Sequence, residues 1–311
     1  MIGKLTKENS IGRSGSLLVA GLCLTASAFS QTGKMTSAQM EVVQAERAFA
    51  RYCIEHGIAE SWMEFFADDG IIFRPGPVNA KEFYRKQVPT PRPLRATLNW
   101  EPRYGDVSQA GDLGYSMGPW NYVTNVLPKE PDAHGYFFSI WKRQTDGKWR
   151  VAMDFGTGEI PAATEDHMLG KPFEPARQYK LRAPHVSNPA VELQALTEMD
   201  QRLASSPQSG GVLDTYLALV SDDAKTFKPG ARPADKQALR TFIPAGKEFS
   251  LVLAPIGGDV AKSNDLAYTY GSYNLQEGGR TKEKGYYVHM WKRNESGKWK
   301  IVVTNFSGKA N

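Results

Sequence analysis

Cysteine is almost missing from this chain, whose 311 residues include only Cys23 and Cys53. Cys23 lies in a short apolar run near the N-terminus, so removal of that run leaves one thiol and no means of forming an intrachain disulfide. Cys53 then reads as a small buried apolar residue on the first helix. Histidine is also scarce: His56, His134, His167, His185 and His289 show no pairing at metal-ligand spacing, so no metal is expected. There is no nucleophile elbow, phosphate-binding glycine loop or dinucleotide fingerprint, and no cofactor is expected. No apolar run reaches the roughly 20 residues a membrane-spanning helix needs. The net charge of +5 comes from mixed acidic and basic residues rather than a basic stripe, which argues against a nucleic-acid partner.

The N-terminus places Lys4, Lys7 and Arg13 before the apolar run Leu17 to Leu24, followed by the small residues Ala26, Ser27 and Ala28. That order predicts a secretory signal over residues 1–30, cleaved near Ala28 or Ser30. Leu22 stands where lipoprotein processing requires a small residue, so Cys23 is not read as a lipid anchor. Cleavage lowers the net charge from +5 to +3. The mature chain is expected to be secreted or periplasmic, without stable membrane insertion.

The strongest signal is an internal repeat. Gly135-Tyr136, Trp141-Lys142-Arg143 and Gly147-Lys148-Trp149 return as Gly285-Tyr286, Trp291-Lys292-Arg293 and Gly297-Lys298-Trp299. Upstream, Asp112-Leu113-Gly114-Tyr115 answers to Asp265-Leu266-Ala267-Tyr268, and Asp68-Asp69 with Phe73-Arg74-Pro75-Gly76 answers to Asp222-Asp223 with Phe227-Lys228-Pro229-Gly230. A period near 150 is far longer than the roughly 20 to 50 residues of a solenoid unit, so each copy is expected to be a domain with its own core.

Within a copy, helices come first. Thr36 and Gln39 have capping-box spacing, and Val42, Ala45, Phe49 and Tyr52 mark one apolar face. A second helix carries Trp62, Phe65 and Phe66 and is expected to stop at Asp68-Asp69-Gly70. Asn79 and Glu82 cap a short third helix. From about Thr97 the chain reads as strands: Leu113 to Trp120, Tyr136 to Arg143, and Trp149 to Phe155, with Asp146-Gly147 as a hairpin turn. Pro161, Pro172, Pro175, Pro184 and Pro189 mark residues 159–189 as a connector. The resulting fold class is α+β: domains at 36–158 and 190–311, each with N-terminal helices packed on a curved, mostly antiparallel sheet. Residues 136–142 and 286–292 are apolar on both strand faces, so both faces of each sheet should be covered, one by helices and one by the sister domain or another chain. Intramolecular pairing is expected, with a homo-oligomer also open.

The phrases Glu46-Arg47-Ala48-Phe49-Ala50, Phe65-Phe66-Ala67-Asp68-Asp69-Gly70, Gly111-Asp112-Leu113-Gly114-Tyr115 and the Trp141 to Phe155 hairpin resemble the SnoaL-like branch of the nuclear-transport-factor-two-like superfamily. The resemblance implies two cone-like domains in tandem. It does not select an activity, because that superfamily holds isomerases, cyclases, dehydratases, hydrolases and non-catalytic binding domains.

Asp154 sits among apolar residues of a strand, where a charge is costly unless it is paired or lines a cavity. It is therefore the candidate catalytic acid or base, and its place resembles a polar position on the last strand of SnoaL-like proteins. In the second copy Thr304 aligns directly and Asn305 with a one-residue shift. Tyr115, Trp120, Ser139, Tyr268, Tyr273, His289 and Asn305 are the candidate ligand contacts. The paired aspartates Asp68, Asp69, Asp222 and Asp223, with Asp112 and Asp265, read as turn and cap residues. Two functions fit: an exported tandem protein binding a small, largely apolar molecule, with isomerase-, cyclase- or hydrolase-like acid/base chemistry in the first domain; or a non-catalytic interaction module whose pockets are filled by side chains.

Overall fold

A computed structural model describes residues 35–125, 133–158, 172–179, 187–203 and 211–310. The expected secretory signal, Cys23 and the connector residues 159–171 and 180–186 lie outside the described residues. The first half starts with helix α1 (Ser37–His56), opened by the capping box in which Thr36 accepts from the Gln39 amide and Gln39 accepts from that of Thr36. Its buried stripe runs Val42, Glu46, Phe49 and Cys53, one residue away from the Val42, Ala45, Phe49, Tyr52 face read from the sequence. The difference matters, because it carries a carboxylate into the core. Helix α2 (Ile58–Phe65) ends earlier than the sequence suggested. Strand β1 (Phe66–Phe73) begins at once, so Asp68 and Asp69 are exposed strand residues rather than a helix stop.

Strand β2 (Pro77–Asn79), helix α3 (Ala80–Arg85), and strands β3 (Ala96–Trp100), β4 (Tyr104–Val107), β5 (Leu113–Thr124), β6 (Ala133–Arg143), β7 (Trp149–Thr157) and β8 (Glu174–Pro175) follow. They form a sheet in the order β2-β1-β7-β6-β5-β4-β8, with β3 also on β5. Neighbours run antiparallel except β1 beside β7 and β4 beside β8.

The second half repeats the plan: α4 (Pro189–Leu203), α5 (Gly211–Leu219), β9 (Val220–Phe227), a short 3-10 turn, α6 (Leu239–Phe242), β10 (Phe249–Val260), β11 (Leu266–Glu277), β12 (Arg280–Arg293), β13 (Trp299–Phe306) and β14 (Lys309–Ala310). Its sheet runs β10-β11-β12-β13-β9, and β9 is parallel to β13 as β1 is to β7. The register slips at Ile140/Trp141 between β6 and β7, and at the matching Met290/Trp291 between β12 and β13. Such bulges bend strands, and here they curl each sheet around its helices.

Residues 137–141 and 287–291, in the middle of the two sheets, are buried throughout because both sheet faces are covered there. The inner face of the first sheet packs with α1 and α2 around Phe49, Trp62, Phe66 and Trp141; that of the second packs with α4 and α5 around Leu196, Tyr216, Tyr287 and Trp291. The outer faces meet each other through Leu113, Tyr115, Met117, Phe138, Ile140 and Met153 from one half, and Phe227, Leu266, Tyr268, Val288, Met290 and Val303 from the other.

The contacts around this layer come in matched pairs. Lys142 bonds Asp259, and the equivalent Lys292 bonds Asp106. The Gln109 amide donates to Asp265, and the equivalent Lys262 amide donates to Asp112. The repeated Trp-Lys-Arg and Gly-Lys-Trp phrases are therefore structural. Arg143 lies over the Trp149 ring and pairs with Glu41 of α1, while Arg293 lies over Trp299 and pairs with Glu192 of α4. Each of these second tryptophans donates to the same glutamate. Asp112 and Asp265, read from the sequence as turn residues, also accept across the boundary between halves.

Candidate functional site

The two cones differ in what fills them. In the first half a cavity of about 470 Å³ opens between helices and sheet, walled by Phe49, Trp62, Leu98, Trp100, Trp120 and Phe137. Asp154 of β7 and Ser139 of β6 face each other across a strand pair on its wall, and the Ser139 hydroxyl donates to the Asp154 carboxyl at 3.2 Å. Burial raises the Asp154 pKa to about 6, against the opposing pull of the Ser139 hydrogen bond, the Arg74 charge and the Phe155 amide. A carboxyl held there is within reach of both protonation states near neutral pH, as general acid/base work requires.

Behind the cavity wall lies a second carboxyl that the sequence reading passed over. Glu46 is fully buried and accepts from the indoles of Trp100, at 2.6 Å, and Trp141, at 2.7 Å, and from the Ser116 hydroxyl. Burial pushes its pKa up to about 7 despite these three donors, and the nearby Asp154 charge adds to the rise. Its sequence signal was a carboxylate on the apolar stripe of α1, between Val42 and Phe49. A carboxyl whose folded pKa lies above its unfolded value lowers stability as pH climbs through the interval between the two. For Glu46 that interval runs from the ordinary glutamate value of about 4.5 to about 7. The stability of the wild-type chain relative to Glu46→Gln should therefore fall across that window and level off above it. Urea unfolding at pH 5 and pH 8 measures this; a difference between the two proteins that stays constant with pH overturns it.

In the second half the corresponding space holds a polar network. Asp200 of α4 takes the place of Phe49, Tyr216 of α5 that of Trp62, Tyr287 that of Phe137, His289 that of Ser139, and Thr304 that of Asp154. His289 Nδ1 stands 2.8 Å from Asp200 and its Nε2 2.6 Å from the Tyr216 hydroxyl, which in turn is 2.7 Å from Thr304. Tyr287 donates to the other Asp200 oxygen at 3.0 Å. Phe306 closes the space: its ring lies 4.3 Å from that of Phe242 and 5.0 Å from that of Tyr273, centroid to centroid. The equivalent residue of β7 is Gly156, on the cavity wall, and a Cβ there would meet nothing nearer than 3.8 Å.

Of the candidate contacts, Asp154, Ser139 and Trp120 line the cavity, Trp120 with its indole N–H on the Thr157 carbonyl at 3.1 Å. The others do not. Tyr115 and Tyr268 point from the outer faces into the layer between the sheets, because the strand alternation that sends Trp120 and Tyr273 inward sends them outward. Tyr273 is in the second core, donating to Glu283 at 2.5 Å. His289 is fully buried in the network above. Asn305 pairs with Val288 and Phe227 on the outer face, so Thr304, not Asn305, is the counterpart of Asp154. Cys53 is buried in the first core, which pushes its thiol up to about 11 and keeps it protonated near neutral pH. Among the described residues no cluster of acidic, histidine or cysteine side chains could hold a metal ion, and no helix is long and apolar enough to cross a membrane.

No protein-family model matches the chain, and no curated protein does. Solved structures do match it. One is a nuclear-transport-factor-two-like superfamily protein from Salmonella enterica, 12% identical, over 42% of this chain and 96% of that one, with a TM-score of 0.32. Another is a ketosteroid-isomerase-like protein from Erwinia carotovora, 13% identical, over 41% of this chain and 100% of that one, at 0.33. A third, a nuclear-transport-factor-two-like protein of unknown function from Shewanella oneidensis, is 16% identical over 38% of this chain and 98% of that one, at 0.30. Each is thus matched nearly whole by about two-fifths of this chain, and the structures it is similar to are nuclear-transport-factor-two-like and ketosteroid-isomerase-like proteins.

Proposed function

We propose that this is an exported protein whose first half binds a small, largely apolar molecule in its conical cavity, with Asp154 moving a proton to or from the bound molecule. The observation that carries this reading is the pairing of an open aromatic cavity with one buried, hydrogen-bonded carboxyl on its wall. Aromatic walls supply affinity by excluding water, and the carboxyl supplies one oriented polar contact. The chemistry open to such a carboxyl is isomerase-, cyclase- or hydrolase-like: it removes or delivers a proton while Ser139 fixes its orientation. The second half supports the first, its own cone being occupied by Phe306 and the Asp200 network. To that extent the filled-pocket reading applies to one half of the molecule.

The test separates binding from chemistry. Gly156→Phe copies the residue that closes the second cone and should abolish binding of 1-anilinonaphthalene-8-sulfonate, followed by fluorescence, while leaving the fold intact by circular dichroism. Asp154→Asn should retain probe binding but lose catalysed deuterium exchange into the acidic C–H positions of a panel of cyclic ketones, followed by NMR. Probe binding that survives Gly156→Phe removes the cavity from the reading. Exchange that survives Asp154→Asn removes that residue from the chemistry.

A further inference from the structure

The cavity of the first half is bounded partly by the second half. Ser307, just past β13, lines it beside Thr157 and Gly158. Phe73, another lining residue, has its ring 5.8 Å from that of Tyr286 and 6.5 Å from that of Tyr270, both from the second half. The main chain of Gly76, which follows the lining residue Pro75, lies so close to Tyr286 that a Cβ there would come within 2.7 Å of the tyrosine hydroxyl. The Gly158 carbonyl, on the same rim, accepts from the Gly230 amide of the second half at 3.0 Å.

This rim is held firmly. The Ser307 amide donates to the Tyr286 carbonyl at 2.9 Å, and its hydroxyl to the same oxygen at 3.2 Å. Gly308 beside it leaves no space for a side chain, since a Cβ would fall 1.8 Å from the Tyr273 hydroxyl. Gly285 is packed as tightly, with a Cβ there only 2.6 Å from the Gly308 main chain. The Tyr286, Ser307 and Gly308 segment is therefore a fixed wall whose position is set by the second core.

We infer that the second half completes the ligand site of the first, with Ser307 and Tyr286 setting the size of molecule the cavity admits. This rests on the cavity being a ligand site, and it gives the filled second cone a purpose: a rigid second core holds the rim in place. A site closed by a fixed wall selects ligands by bulk at that wall, so enlarging a residue there should exclude large ligands before small ones.

The experiment compares Ser307→Trp, Ser307→Ala and Tyr286→Ala with wild type in the full chain, using two probes of different bulk: 1-anilinonaphthalene-8-sulfonate and 2-naphthol. Ser307→Trp should weaken the larger probe at least about tenfold and the smaller one much less, while Ser307→Ala, which trims the same wall, should narrow the difference between the two probes. Tyr286→Ala, which frees Phe73, should reduce the discrimination between the probes. Thermal melts guard against misfolding, and a variant that fails to fold leaves the decision to the other two. If Gly156→Phe abolishes binding yet Ser307→Trp and Tyr286→Ala treat both probes as wild type does, the rim proposal is overturned and the cavity reading stands. If Gly156→Phe leaves binding untouched, both fall together.

Discussion

Replacing Lys292 by Met should destabilise the protein by about 3–5 kcal/mol, whereas the same change at its repeat counterpart Lys142 should cost about 1 kcal/mol or less. The two lysines make equivalent contacts across the layer between the halves, so chemistry alone predicts equal effects. Exposure separates them. Lys292 is 6% exposed and its partner Asp106 is 0% exposed, while Lys142 and Asp259 are 47% and 31% exposed. Water screens the second pair and can take over for either member when the other is removed. At the first pair it cannot. Without Lys292, Asp106 keeps, among the described residues, only neutral donors, the side chains of Gln39 and Gln178 and the Val107 amide, and the Arg177 carbonyl loses the ammonium that now donates to it at 2.7 Å. Urea unfolding of the two single variants, and of double-variant cycles with Asp106→Asn and Asp259→Asn, measures the difference. Losses within about 0.5 kcal/mol of each other would show that burial does not decide the strength of these pairs.

That asymmetry within a repeat shows what the sequence could and could not disclose. The repeated phrases were legible because both halves keep residues that hold the same joints: the arginines 143 and 293 clamping a helix glutamate, the tryptophans 149 and 299 beneath them, and the lysines that cross between halves. The covered second face was legible in residues 136–142 and 286–292, where large apolar side chains fall on both strand faces. The content of each cone was not, because it depends on differences between copies that only register resolves. The pairing of Ser139 with Asp154 and of His289 with Thr304 fixes the alignment, and only then does Gly156 fall opposite Phe306. Alternation along a strand also misdirected the tyrosines. Tyr115 and Trp120 lie five residues apart and so belong to opposite faces, and the sequence holds no mark of which face encloses the cavity. Glu46 and Asp200 were available in principle. Each interrupts an apolar helix stripe, Asp200 between Leu196 and Leu203, and a carboxylate in such a place needs partners that the helix itself does not provide.

Asp200 should be as hard to replace as Lys292. Its carboxylate can only accept hydrogen bonds, so His289 Nδ1 must be the donor between them. With a neutral imidazole the remaining polarity follows in one direction: Tyr216 donates to Nε2, and Thr304 donates to the Tyr216 oxygen. Asp200, His289, Tyr216, Tyr287 and Thr304 are all 0% exposed, so no water replaces a lost partner. Asp200→Leu leaves the His289 N–H and the Tyr287 hydroxyl without acceptors, at roughly 1–3 kcal/mol each, for a total loss of about 3–5 kcal/mol. Asp200→Asn keeps one acceptor oxygen in place and should cost less than half as much. The apolar solution has already been built in the same chain, where Phe49, Phe137 and Ser139 occupy the equivalent positions. Converting all three second-half positions together, Asp200→Phe with Tyr287→Phe and His289→Ser, should therefore recover much of what Asp200→Leu loses, because the two donors that Asp200 served are then gone and the Tyr216 hydroxyl, which loses Nε2, keeps Thr304 as a partner. Urea unfolding of the four proteins decides it. A triple variant less stable than Asp200→Leu would mean that packing around Phe306, rather than hydrogen-bond satisfaction, governs this core.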